Sequence, residues 1–273
     1  MKLSMWSSYY VELSPEDAIL ELEKNGYHYT EISDEHGEVL MQRGNPTEVG
    51  KAFGEFARAH GVEITQGHLW LKVKMCVDES AVGILKDWLD LYDAIGVKAA
   101  VLHCDRFADF PEVDAEEKIR RNVEALKELC AHIEGREINI CLENLRESGG
   151  LCSTAEELLH IIDLVGSKNL AICLDTGHLN IHSDRDQEKF ILTAGKLLKA
   201  LHIADNDRSA DQHIMPYGRG TVNWTKVMKN LKKIGYDGLF NYEIPGERVA
   251  PAEVKTAKLQ YIKTLSAVLD SIE

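Results

Sequence analysis

No apolar run in this 273-residue chain approaches the roughly 20 residues that a helix needs to cross a bilayer. The first residues, MKLSMWSSYYVELSPED, also lack the continuous apolar stretch of a secretory signal. A cytoplasmic location is therefore the expectation. Positive charge is in short supply. Lys and Arg number 31 against 45 Asp and Glu, for a formal net charge of −14. That balance repels a polyanion such as DNA on average. The densest basic group, Lys229, Lys232 and Lys233, falls on a predicted helix and reads as a solvated face. No C-x-x-C pair occurs, and Cys76, Cys104, Cys130, Cys141, Cys152 and Cys173 show no zinc-ribbon spacing. Disulfides are not expected in a reducing cytosol. Linkers and low-complexity stretches are missing too, which leaves one domain over residues 1–273.

What is present is an alternation of strand-like and helix-like segments. Predicted strands cover 2–7, 27–32, 62–69, 97–103, 138–143, 171–175, 200–204 and 239–243. Helical segments run from Ser14-Pro15-Glu16-Asp17 to about Lys24, from Asn45-Pro46 to Gly61, over 78–95 and over 115–133. Another starts at the capping sequence Ser153-Thr154-Ala155-Glu156-Glu157, and more cover 186–199, 224–234 and 252–272. Strands alternating with helices imply a parallel sheet. Eight such units in 273 residues favour an α/β fold closed as a (β/α)8 TIM barrel over an open doubly wound sheet. In such barrels the chemistry sits at the C-terminal ends of the strands.

Four predicted strands end on a residue able to bind a metal. They read ICLEN (140–144), ICLDTGH (172–178), LHIADND (201–207) and NYEIPGE (241–247). The residues are Glu143, Asp175, His202 and Glu243. Three carboxylates and an imidazole suit one divalent ion, with Mn2+, Zn2+, Co2+ and Mg2+ all open. Structural pairing of Glu143 with Arg146 and of Glu243 with Arg248 is the competing explanation. It accounts for single sites but not for all four in phase with the barrel. Side chains alternate along a strand, so Cys141 and Cys173 face inward with Glu143 and Asp175, as small fillers one layer below the ion. Ala200 and Asn241 take that place below His202 and Glu243.

Other residues gather at the same end. His178, in the loop after strand six, is placed to bind substrate oxygen or a further metal. His68 and His103 end strands three and four and line the site, with Trp70 beside His68. The loop ADNDRSADQHIMPYGRGTVNW follows strand seven. There Arg208 offers a planar fork for a hydroxyl or carboxylate. Asp211 and His213 are spaced to reach one ion or one sugar, and Gly218 and Gly220 permit close backbone approach.

These residues resemble those of the xylose-isomerase-like TIM barrels, the sugar phosphate isomerase/epimerase superfamily. The likeness spans nearly the whole chain and is strongest from Glu143 to Glu243. It implies that Glu143, Asp175, His202 and Glu243 bind metal, that His178 lies beside substrate, and that Arg208 is a substrate-binding arginine of the ketose-epimerase type. A second branch, endonuclease IV, binds three zinc ions on a pattern with counterparts here in His68, His103, Glu143, Asp175, His178, His202, Asp211, His213 and Glu243. The charge of −14 argues against that branch.

The function implied is proton transfer in a small ketose, keto-polyol or sugar phosphate through a cis-enediolate, with Glu143 and Glu243 as the bases. His178, Arg208, His68, His103, Asp211, His213 and Trp70 would contact substrate. Phosphodiester hydrolysis, keto-inositol dehydration and sugar binding without turnover stay open as alternatives. The expected partner is a small sugar or polyol, with no nucleic acid and no membrane, and a homo-oligomer is an open option.

Overall fold

The computed structural model describes residues 1–106, 112–146, 151–182 and 186–273. Its strands are β1 (Lys2–Trp6), β2 (Tyr29–Ile32), β3 (Glu63–His68), β4 (Ala99–Leu102), β5 (Asn139–Glu143), β6 (Leu170–Asp175), β7 (Leu198–Ile203) and β8 (Leu239–Tyr242). They pair in sequence order, all parallel, and β8 closes on β1. Every residue of β4, β6 and β8 is buried. Strands covered on both faces read as continuous apolar runs, and only a helical outer layer can cover them. The chain is a (β/α)8 TIM barrel.

The helices that form the outer layer start and stop where local chemistry requires. They are α1 (Pro15–Lys24), α2 (Asp34–Met41), α3 (Pro46–Ala59), α4 (Ala81–Ile95), α5 (Ala115–His132), α6 (Ala155–Val165), α7 (Thr176–Ile181), α8 (Gln187–Ala194), α9 (Trp224–Ile234) and α10 (Ala252–Asp270). Ser14 caps α1 through its hydroxyl, 3.1 Å from the Asp17 amide, with Pro15 at the first position. Thr154 and Glu157 close a reciprocal capping box on α6. Gly96, Gly166 and Gly235, all with positive φ, end α4, α6 and α9. Among the described residues no helix is long and apolar enough to cross a membrane.

The barrel interior is filled in layers. Ala99, Val101, Cys141, Ala171, Cys173 and Ala200 form a small-residue cluster separate from the main core. Cys141, Cys173 and Ala200 thus occupy the filler positions expected from strand alternation. Strand register pairs Glu143 with Cys173, Asp175 with His202, and His202 with Asn241.

Two expectations need correction, and one helix was not expected. The helix read over 186–199 stops at Ala194, where Gly195 leaves helical geometry; a 3-10 turn then leads into β7, which begins at Leu198. Helix α2 is unforeseen, although Ser33 caps it and Asp34 and Glu35 sit in its first turn. His178 is not in a loop. It lies in the short helix α7, which Asp175 itself caps, its Oδ1 accepting the His178 amide at 2.6 Å.

Candidate active site and metal centre

The C-terminal ends of β5, β6, β7 and β8 bring Glu143, Asp175, His202 and Glu243 together. One ligand atom from each lies within 4.8 Å of those of the others. Oxygen and nitrogen ligands sit about 2.0–2.2 Å from a metal, so donors this close can share one ion. Two atoms carry the fit. Asp175 Oδ2 and His202 Nδ1 are buried with no hydrogen-bond partner. Buried polar atoms are seldom left unpaired, and a cation at the shared point would satisfy both.

Glu143 is the hub. Its oxygens lie 3.0 Å from His103 Nε2, 3.2 Å from His178 Nδ1, 3.2 Å from His202 Nδ1 and 3.5 Å from His68 Nε2. Among the described residues neither Glu143 nor Glu243 pairs with an arginine, which removes the structural pairing with Arg146 and Arg248. Burial alone would raise the Glu143 carboxyl, but His202 and His103 beside it, with hydrogen bonds from His103 and His178, hold it well below the usual range. Glu243 goes the other way. Burial pushes it up to about 7 despite the pull of His202 and His213, and Glu143 and Asp175 add to the rise. Glu243 is also the most accessible of the four, 8% exposed against 1% or less for the others.

A second group stands beside the first. His178 Nε2 is 3.1 Å from Asp211 Oδ2, and His213 Nε2 is 3.3 Å from Asp211 Oδ1. A third, His68 with His103, shares Glu143. Three of these rings are aimed by the backbone. His68 Nδ1 donates to the Leu69 carbonyl (2.8 Å), His178 Nδ1 to that of Asn144 (3.0 Å) and His213 Nδ1 to that of Glu243 (2.7 Å).

The β7–α9 loop is pinned by a residue that sequence reasoning missed. Asp205 Oδ1 accepts the amides of Asn206, Thr221 and Val222, and Oδ2 accepts Trp224 Nε1. The loop also carries His213 in the left-handed backbone region, a sparsely populated state for a residue with a Cβ. Gly220 lies against Asp205, and a methyl there would run into the carboxylate. Gly220→Ala is expected to cost about 1–3 kcal/mol through overpacking. Thermal denaturation should register the loss, and an unchanged melting temperature would show that the contact is not tight.

The remaining expected contacts are looser. Arg208 is exposed, with a left-handed backbone, and its side chain makes no ion pair among the described residues. Trp70 stacks on Trp88, with ring centroids 6.1 Å apart and planes 9° apart. With His103 it lines a cavity of about 40 Å3. Neither is drawn into the cluster. Two further residues were also missed. Glu31 lies 3.0 Å from His202 Nε2, and the Asn144 side chain grips both backbone groups of Asp175 at 2.8 and 3.1 Å. The available signal was a polar residue in, or just after, an otherwise apolar strand.

The family pattern of xylose isomerase-like TIM barrels matches residues 19–265, and the chain belongs to that family. It is 32% identical over 127 residues to a D-psicose 3-epimerase of Ruminiclostridium cellulolyticum, a match covering 46% of this chain and 41% of that relative. Over 126 residues it is 31% identical to a fructoselysine 3-epimerase of Escherichia coli O157:H7, covering 45% of each. The chain thus aligns to less than half the length of these two relatives. Among solved structures, a D-psicose 3-epimerase with D-tagatose from Clostridium cellulolyticum H10 superposes with a TM-score of 0.81 at 21% identity, over 99% of both chains. At that identity the likeness is one of fold.

Proposed function

We propose that this chain epimerises or isomerises a small ketose, keto-polyol or sugar phosphate, with one divalent ion held by Glu143, Asp175, His202 and Glu243. The observation that carries the reading is the convergence of these buried donors at the barrel mouth, with Asp175 Oδ2 and His202 Nδ1 lacking partners. The names of the relatives support the reaction class. In a 2-ketose, C3 is the carbon beside the carbonyl, so a 3-epimerase works on an acidified C–H.

The ion would supply Lewis-acid polarisation of the carbonyl and a template for the adjacent hydroxyl, and a mixed carboxylate and imidazole set suits Mn2+, Zn2+ or Co2+. Glu143 and Glu243 project from β5 and β8, well apart around the ring. One removes the proton from the carbon beside the carbonyl and the other returns one, through a cis-enediolate of the substrate. Each serves as ligand and as base. His178 stabilises the developing oxyanion, and Arg208, on the exposed face of the β7–α9 loop, is the further candidate for substrate contact. His68, His103, Asp211, His213 and Trp70 shape the pocket around the substrate.

A second reading, phosphodiester hydrolysis, is favoured by one observation: three adjacent donor groups, His68–His103–Glu143, Glu143–Asp175–His202–Glu243 and His178–Asp211–His213. The charge of −14 weighs against it. Incubation with a panel of ketoses and with abasic-site DNA separates the two. The proposal expects one ketose converted to its epimer or isomer and the DNA left intact. Cleaved DNA with every ketose unchanged would reverse the assignment.

A further inference from the structure

We infer that Glu31 is a positioning residue that fixes the His202 imidazole, so that Nδ1 and not Nε2 is offered to the metal. The inference rests on the metal reading above and goes beyond it. Both Glu31 oxygens lie 3.0 Å from His202 Nε2. The carboxylate is itself held in place. Gln66 Nε2 donates to Oε2 at 2.6 Å and Asn241 Nδ2 donates to the same oxygen at 2.5 Å. Those donors are anchored in turn, Gln66 to the Leu201 carbonyl at 3.2 Å and Asn241 through its Oδ1 to Ser4 Oγ at 2.7 Å. The network thus ties β1, β2, β3, β7 and β8 together inside the barrel, directly below the site.

The chemistry of the contacts sets the tautomer. Each of these neighbours presents an N–H to Glu31, and a carboxylate accepts all of them. With a cation at the shared point, His202 would carry its proton on Nε2, toward Glu31, and offer its lone pair on Nδ1. Nδ1 faces Glu143 at 3.2 Å and Glu243 at 3.4 Å and has no hydrogen-bond partner. His202 and Glu31 are both 0% exposed, so neither can be re-aimed by solvent. His68, His178 and His213 are aimed by backbone carbonyls, whereas His202 has a carboxylate in that role. Burying a carboxylate is costly, and among the described residues Glu31 pairs with no Lys or Arg. A carboxylate behind a ligating histidine also strengthens the ligand, and losing such a partner typically weakens metal binding about 10–100-fold.

Competition against a chromophoric chelator measures zinc affinity in the parent protein, Glu31→Gln and Glu31→Asp, alongside the melting temperature of each metal-free protein. In Glu31→Gln an amide N–H can face Nε2, which favours the tautomer with its proton on Nδ1 and blocks the lone pair. Its zinc affinity is expected to fall about 10–100-fold with folding retained. Glu31→Asp keeps the charge and the Gln66 and Asn241 donors but draws the carboxylate back from the ring, and it should weaken binding in the same direction. Folded variants that bind zinc as tightly as the parent overturn the assignment. If neither variant folds, nitrogen-15 spectra of the zinc-loaded parent decide: Nδ1 metallated and Nε2 protonated upholds it, and the reverse overturns it. A parent that binds no zinc overturns the metal reading itself and this inference with it, whereas equal binding by parent and variants overturns the role of Glu31 alone.

Discussion

Replacing Glu243 by glutamine is expected to lower ketose turnover roughly 10²–10⁴-fold, the range over which a positioned acid or base contributes. Of the four candidate ligands Glu243 is the most exposed, at 8%, while Glu143 is enclosed by four imidazoles. The neutral amide of Glu243→Gln cannot accept a carbon-bound proton, yet its oxygen can still ligate an ion. Metal content therefore has to be measured on the same sample. A variant that keeps its metal and turns over at the parent rate would rule out the proton-shuttle role.

Removing the metal is expected to abolish turnover altogether, and re-addition of a suitable divalent ion to restore it. The effect should extend to stability, because an ion that binds only the folded chain stabilises it. At a free concentration a thousand times the dissociation constant the gain is about 4 kcal/mol. Calorimetry of stripped and reloaded protein should show that rise in melting temperature. Elemental analysis should give one tightly bound ion per chain. Turnover that survives complete chelation contradicts the metal reading, and three zinc ions per chain would shift the balance toward the hydrolytic one.

The strand-end donors were legible because each stands at the close of an apolar run, and four such runs share the phase of the barrel. ICLE and ICLD show the rule directly: Cys141 and Cys173 share the interior with Ala200, and Glu143 and Asp175 sit above them. Glu31 was not legible in the same way. It lies within YTEI, a four-residue strand too short to display a period, and its role depends on His202, 171 positions away in sequence. Asp205 was hidden for a related reason. Its partners at 221, 222 and 224 converge only when the glycine-rich loop folds back. Helix α7 escaped because its capping residue, Asp175, had already been read as a metal ligand, and it is both the cap and part of the cluster. The start of β7 was misplaced because Lys196, Leu197 and Leu198 continue a helical pattern that Gly195 has already broken.

Turnover in D2O shows whether a carbon-bound proton leaves and returns on this protein. With the ketose identified from the panel, product formed by the metal-loaded parent is expected to carry solvent deuterium at the carbon next to the carbonyl, because the base returning the proton can exchange with solvent. Product formed at the normal rate without deuterium at that carbon would contradict the enediolate route.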